Sequence, residues 1–219
     1  MESWDAYDVN RIPTGKSVIR GEKHPGGLYH MVVHIAIFNS EGKLLIQQRC
    51  SQKPTFPEKC DVTVCGSALC GETSRQAMRR ELREELGLDI DLSDIRPRLT
   101  VNFEDGFDDY YIIVRDISLS QLHLQPEEVM DARWATLEEV CAMIDSGEFI
   151  PFMKSFIAFL FEMRNGVDNL NTLKMHRMVS HAVRRILWGA ASPFPVASSQ
   201  FIITYFSHSL NMYYFQTWL

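Results

Sequence analysis

The chain has 219 residues, a net charge of −6 and five cysteines. That length suits one domain with a sizeable core plus an extension, and the acidic balance excludes the basic footprint that duplex nucleic acid requires. The cysteines (Cys50, Cys60, Cys65, Cys70 and Cys141) are odd in number and fit no paired zinc spacing, so they read as free or buried thiols of a reducing, cytoplasmic setting.

The opening MESWDAYDVNR is polar and charged, unlike a secretory signal. No stretch reaches the roughly 18 apolar residues of a membrane span. His30 to Phe38, HMVVHIAIF, is rich in β-branched and aromatic residues and predicts a strand. Asn39 to Gly42 is a turn, and Lys43 to Gln48 the returning strand. Ser51 to Lys59 is a proline-containing loop, and the apolar run Val62 to Cys65 predicts a buried strand. Further on, Leu99 to Phe103 and Tyr110 to Arg115 read as strands around an acidic turn at Glu104, Asp105 and Gly106. Asp131 to Ala135 is a short strand carrying Trp134. A helix over Leu137 to Ser146 is capped by Thr136 and followed by Gly147, and Pro151 to Arg164 predicts a second helix with Phe152, Phe156, Phe159 and Leu160. Strands with interspersed helices predict an α/β sandwich.

Between these strands lies GSALCGETSRQAMRRELREELGL, Gly66 to Leu88. Thr73 or Ser74 is placed to cap a helix, with an acid in or near its first turn. Ala77, Met78, Leu82 and Leu86 recur at helical spacing as an apolar stripe. Gly87 stands where a left-handed residue ends a helix. Residues three and four apart share a helix face, so Glu81, Glu84 and Glu85 project to one side. Carboxylates that close repel one another unless a cation sits among them. A hard divalent ion, Mg²⁺ or Mn²⁺, suits such oxygen donors. Arg80 with Glu84 and Arg75 with Glu72 also fit the i,i+4 or i,i+3 pairs of an ordinary solvated helix face.

The spacing decides between the two. Gly66, five residues, Glu72, seven residues, Arg80-Glu81-Leu82, one residue, Glu84-Glu85, one residue, Gly87-Leu88 resembles the Nudix box of the Nudix hydrolase superfamily at every fixed position. The resemblance implies an α/β/α sandwich with a mixed β-sheet and the catalytic helix following the Gly66 loop. It implies a metal held by Glu81, Glu84, Glu85 and the Gly66 carbonyl. Arg80 and Glu72 would orient those ligands, and Glu84 or Glu85 would take a proton from water.

Beyond the box, residues 3–164 are similar to the group of Nudix proteins related to type I isopentenyl diphosphate isomerase. The signals are His30 before the first strand, Leu45-Ile46-Gln47-Gln48-Arg49, the Lys53 to Pro57 loop, and Glu127-Glu128-Val129 preceding Trp134. An isomerase moves a double bond and needs a proton donor and an acceptor on opposite sides of an allylic carbon. By that resemblance its cysteine falls on Cys65, but its metal-binding histidine falls on Ser67. Its acidic pair falls near Phe107 and Asp109, so one carboxylate is lost and the other shortened. Cys65 also reads as a small apolar residue at a strand end; His24 and His30 are further candidate metal ligands, with His30 also reading as a polar residue at a strand start.

The expectation is therefore a Mg²⁺-dependent hydrolase cleaving a diphosphate linkage in a small nucleoside diphosphate-X metabolite. The alternatives are an isopentenyl diphosphate isomerase-like enzyme and a ligand-binding Nudix module without turnover. Glu104, Asp105, Asp108, Asp109, Glu127 and Glu128 are candidates for an extra ligand or base, or surface turn residues. Phe103, Phe107, Tyr110 and Trp134 are candidates to stack on a base or ribose, although aromatics in strands commonly pack cores.

The Nudix domain is expected over residues 1–164. Residues 165–219 form an extension in which no Lys, Arg, Asp or Glu follows Arg185. It reads as an amphipathic element packing on the domain or on a second copy in a homodimer, or as sequence that does not belong to the fold.

Overall fold

The computed structural model describes residues 2–166; the expectations for the remaining extension lie outside the described residues. A two-stranded antiparallel hairpin comes first, β1 (Ser3–Tyr7) with β2 (Pro13–Ile19). It then builds a seven-stranded mixed sheet from β3 (His30–Phe38), β4 (Leu44–Arg49), β5 (Cys60–Asp61), β6 (Val64–Ser67), β7 (Leu99–Phe103), β8 (Gly106–Val114) and β9 (Val129–Ala135). Its helices are α1 (Ser74–Leu86), α2 (Leu137–Ser146) and α3 (Lys154–Met163).

Strand β3 is the axis. It runs parallel to β8 over its whole length, from His30 opposite Gly106 to Phe38 opposite Val114. Successive side chains on a strand alternate between faces. Val33, Ile35 and Ile37 therefore pack with Ala77, Met78, Leu82 and Leu86 of α1 in one core. Ala36 and Phe38 pack with Val140 of α2 and with Ile157, Leu160 and Phe161 of α3 in the other. One helix on one face and two on the other give the expected α/β/α sandwich. Among the described residues no helix is long and apolar enough to cross a membrane.

Several boundaries differ from the sequence expectation. The β1–β2 hairpin is additional, and β2 buries only Val18 fully, so it lacks a hydrophobic run. Strand β8 begins at Gly106 rather than Tyr110, because Asp108 and Asp109 are buried with partners instead of forming a turn. Helix α3 begins at Lys154 rather than Pro151, with Met153 as its N-cap.

Candidate active site

The site is made where the sheet divides. β3 and β4 are joined as a ladder only at Phe38 opposite Leu44 and then part. On one side of the opening β6 pairs with β3; on the other β9 pairs with β4. Thr63 bridges the two halves. Its Oγ accepts from the Ile37 amide at 2.9 Å and donates to the Leu45 carbonyl at 2.6 Å. The hydroxyl is wholly buried, so it satisfies backbone groups that the missing ladder would otherwise leave unpaired.

Helix α1 lies over this opening. Thr73 is its N-cap, in a reciprocal capping box with Gln76. Ser74 instead pairs its hydroxyl with the Tyr111 hydroxyl at 2.9 Å. The first turn carries no acid, and the acid near it is Glu72, directly before the cap. Gly87 ends the helix at φ 67°, in the left-handed region. The apolar stripe is buried as its spacing requires, which fixes the rotation of the helix and sends its acids toward β6 and β4.

Gly66 on β6 makes room for them. A Cβ built there would stand 2.0 Å from Glu81 Oε1. The side chain of Glu81 is 13% exposed, that of Glu84 52%, and Glu85 as a residue only 5%. Burial pushes Glu81 up to about 7 against the pull of Arg80. Burial and then the Glu81 charge push Glu85 up to about 8. Burial thus opposes the ionised form of both acids, offset only in part by Arg80 at Glu81 and by Lys53 and Gln47 at Glu85.

Arg80 organises the surrounding carboxylates. Its Nε and one terminal nitrogen donate to the two Glu72 oxygens at 2.8 and 2.9 Å. The other terminal nitrogen reaches Glu81 at 2.8 Å and Glu84 at 3.0 Å, and a further bond runs to the Ser67 carbonyl at 3.0 Å. Glu72 also accepts from the Leu69 amide at 2.9 Å. This ties the loop between β6 and α1 to the helix.

Other polar groups line the same opening: Gln47, Lys53 and Cys65, which the isomerase-group resemblance singles out, and Asp61 and His34, which sequence reasoning missed. Gln47 is 2% exposed and donates its side-chain N–H to Glu85 at 3.0 Å. Lys53 faces Glu85 electrostatically and pairs with Glu128. Asp61, opposite Gln47 in the β4–β5 ladder, is buried 3.6 Å from the Arg49 guanidinium. Cys65 lies opposite His34 and 3.8 Å from Asp61, and His34 bonds Asp108 at 2.8 Å and stacks on Tyr110. Burial pulls the His34 imidazole down, but Cys65 and Asp108 more than offset it and hold it well above its ordinary value. Burial pushes the Cys65 thiol up. The available signal was the period of two along β4, which sets Leu45, Gln47 and Arg49 on one face.

The remaining candidates are spread over the domain. Phe103 is 41% exposed at the end of β7 and packs edge-on against His30. Tyr110 is buried beneath Phe156 of α3. Trp134 sits opposite Leu45 and packs on the core beneath α1. Phe107 is buried under the Arg11 guanidinium, 4.1 Å from its ring centre. Asp109 accepts both Arg11, at 3.1 Å, and Thr100, at 2.6 Å. His30 stacks on Trp4 with ring centres 4.4 Å apart and donates its Nδ1–H to the Asp105 carbonyl at 2.9 Å; His24 meets both rings edge-on.

The donor set of hard carboxylate oxygens, two of them on buried acids, fits a divalent cation. Among the described residues, no three His, Cys, Asp or Glu side chains already enclose one, and Arg80 engages Glu81 and Glu84.

The model of the NUDIX domain matches residues 28–158. This chain belongs to the Nudix hydrolase family. An uncharacterized Nudix hydrolase of Listeria monocytogenes is 52% identical over 165 residues, covering 75% of this chain and 96% of the relative. The isopentenyl-diphosphate Delta-isomerase of Escherichia coli O9:H4 is 30% identical over 149 residues, covering 65% of this chain and 82% of the enzyme. Among solved structures, a Deinococcus radiodurans protein superposes with a TM-score of 0.59 at 28% identity, over 75% of this chain and all of its own. The Nudix assignment and the likeness to the isomerase group thus both stand.

Proposed function

We propose that this Nudix protein is a Mg²⁺-dependent hydrolase that cleaves the diphosphate linkage of a small nucleoside diphosphate-X metabolite in the cytosol. One observation carries the reading: Glu81, Glu84 and Glu85 are all present on one helix, and the strand facing them lacks a Cβ where Glu81 enters.

Glu81, Glu84, Glu85 and the Gly66 carbonyl would hold Mg²⁺ or Mn²⁺. The ion would neutralise charge on the departing phosphate oxygens and favour in-line attack by water. Arg80, anchored by Glu72 and Ser67, sets the rotamers of Glu81 and Glu84. Glu84 or Glu85 accepts the proton of the attacking water. Lys53 supplies a positive charge beside Glu85 where a phosphate would approach. We assign the domain to residues 1–164, with 165–219 as an extension. The Listeria relative supports this, since 165 aligned residues account for 96% of its length.

An isomerase is less well served. Ser67 replaces a metal-binding histidine of the isomerase pattern, and Asp109 is committed to Arg11 and Thr100. A module without turnover would leave buried acids uncompensated, which costs free energy without a cation to offset it.

The test is a panel of nucleotide sugars, dinucleotides, modified nucleotides and prenyl diphosphates, scored for Mg²⁺-dependent phosphate or monophosphate release beside isopentenyl diphosphate isomerisation. Hydrolysis of at least one member without isomerisation is expected. Isomerisation without hydrolysis would overturn the reading.

A further inference from the structure

Gln47 has one polar end too many for its surroundings. Its Nε2 donates to Glu85 Oε2 at 3.0 Å, while its Oε1 is buried and accepts nothing from the described residues. Turning the amide over does not help. The oxygen would then face the carboxylate, which suits only a protonated Glu85, and the NH₂ would be the group left without a partner. The donors nearby are already committed. Arg49 serves the Thr55 carbonyl and Asp61, and Lys53 serves Glu128.

A buried polar side chain keeps an unpaired end where something else completes it. The amide lies beside Glu85, in the opening between β3 and β4, with no apolar side chain's reason to be there. Its two ends have opposite chemistry: the N–H fixes a carboxylate, and the oxygen asks for a donor. Water is the donor that the hydrolysis of a diphosphate brings to this place.

We propose that Gln47 is a positioning residue of the hydrolytic site, its amide N–H aiming Glu85 at the divalent ion and its free oxygen accepting a hydrogen bond from the attacking water. This rests on the Mg²⁺-hydrolase reading above. The amide takes no proton; it fixes the rotamer of Glu85 and one O–H direction of the water, leaving a lone pair for phosphorus. A group that orients a ligand in this way typically changes metal affinity or activity by about 10–100-fold when removed.

The experiment uses the full chain and Mn²⁺ alone, read by electron paramagnetic resonance for affinity and by water-proton relaxation for water at the ion. Gln47→Met preserves volume and loses both polar ends; Gln47→Glu keeps an oxygen acceptor and loses the N–H. The expected result is a Gln47→Met protein with native circular dichroism, Mn²⁺ affinity weakened by about 10–100-fold, and altered water relaxation. Gln47→Glu should recover part of that affinity. A folded Gln47→Met protein with affinity and relaxation like the wild type overturns the proposal. If Gln47→Met does not fold, Gln47→Glu decides: altered relaxation supports the role and unchanged relaxation overturns it. A wild-type protein that binds no Mn²⁺ overturns the hydrolase reading itself, so the two failures are distinguishable.

Discussion

Glu81 occupies the space that a side chain at position 66 would take. The distance from a Cβ built on Gly66 to Glu81 Oε1 is 2.0 Å, and to Glu81 Cγ 2.7 Å. The glycine is required by space, not by backbone angle, since its φ lies outside the left-handed region.

Gly66→Ala therefore displaces Glu81 while leaving the strand in place. The obstructing atoms belong to the end of a flexible side chain, so the melting temperature should fall by only a few degrees. Mg²⁺-dependent turnover should fall at least about tenfold, as for other changes that misdirect a metal ligand. Thermal melts and initial rates on the same sample check this.

Thr63→Val probes the division of the sheet. Valine has the same shape but removes the hydroxyl that bridges the Ile37 amide and the Leu45 carbonyl. Leaving buried backbone groups unpaired costs about 1–3 kcal/mol. For a domain of this size each kcal/mol lowers the melting temperature by roughly 2–4 °C, a loss that calorimetry would detect.

Glu72→Gln tests the anchor of Arg80. With its ionic partner weakened, the guanidinium turns to Glu81 and Glu84, where it competes with the cation. The Mg²⁺ concentration for half-maximal rate should rise about tenfold, with a smaller change in stability. A Mg²⁺ titration of the rate measures it.

The pH dependence of stability without added metal follows from Glu85. Burial, and then Glu81, raise its folded value from the usual 4.5 to about 8, with Lys53, Gln47 and Asp61 also facing it. Between those values the folded state binds more protons than the unfolded chain, so stability falls as pH rises. The penalty is absent below about pH 4.5 and complete above about pH 8. A shift of this size corresponds to at most about 5 kcal/mol, shared with the coupled Glu81. Denaturant melts from pH 5 to pH 8 should show declining stability, flattened in Glu85→Gln and by added Mg²⁺.

What the sequence disclosed was the local part. Helix α1 announced itself through Thr73, its apolar stripe and Gly87, all within one window, and its acids follow from helical spacing. The contacts around β3 were hidden, because His34, Cys65 and Asp108 meet only through the β3–β6 and β3–β8 registers. Asp108 and Asp109 looked like turn residues because their partners, His34 and Arg11, are 74 and 98 positions away. Tyr110, three residues after Phe107 and so of opposite parity on the strand, points to the α3 core instead of toward α1. The β1–β2 hairpin escaped notice because β2 is mostly exposed and polar.

The central claim is water attack on a diphosphate, assisted by the carboxylates of α1. Hydrolysis in ¹⁸O-labelled water, with products read by mass spectrometry, tests it most directly in the wild type and in Glu85→Gln. The account predicts one ¹⁸O in a phosphate-bearing product of the wild type with Mg²⁺. It also predicts loss of most turnover in a folded Glu85→Gln protein. A product without the label, or Mg²⁺-dependent hydrolysis retained in Glu85→Gln, would contradict it.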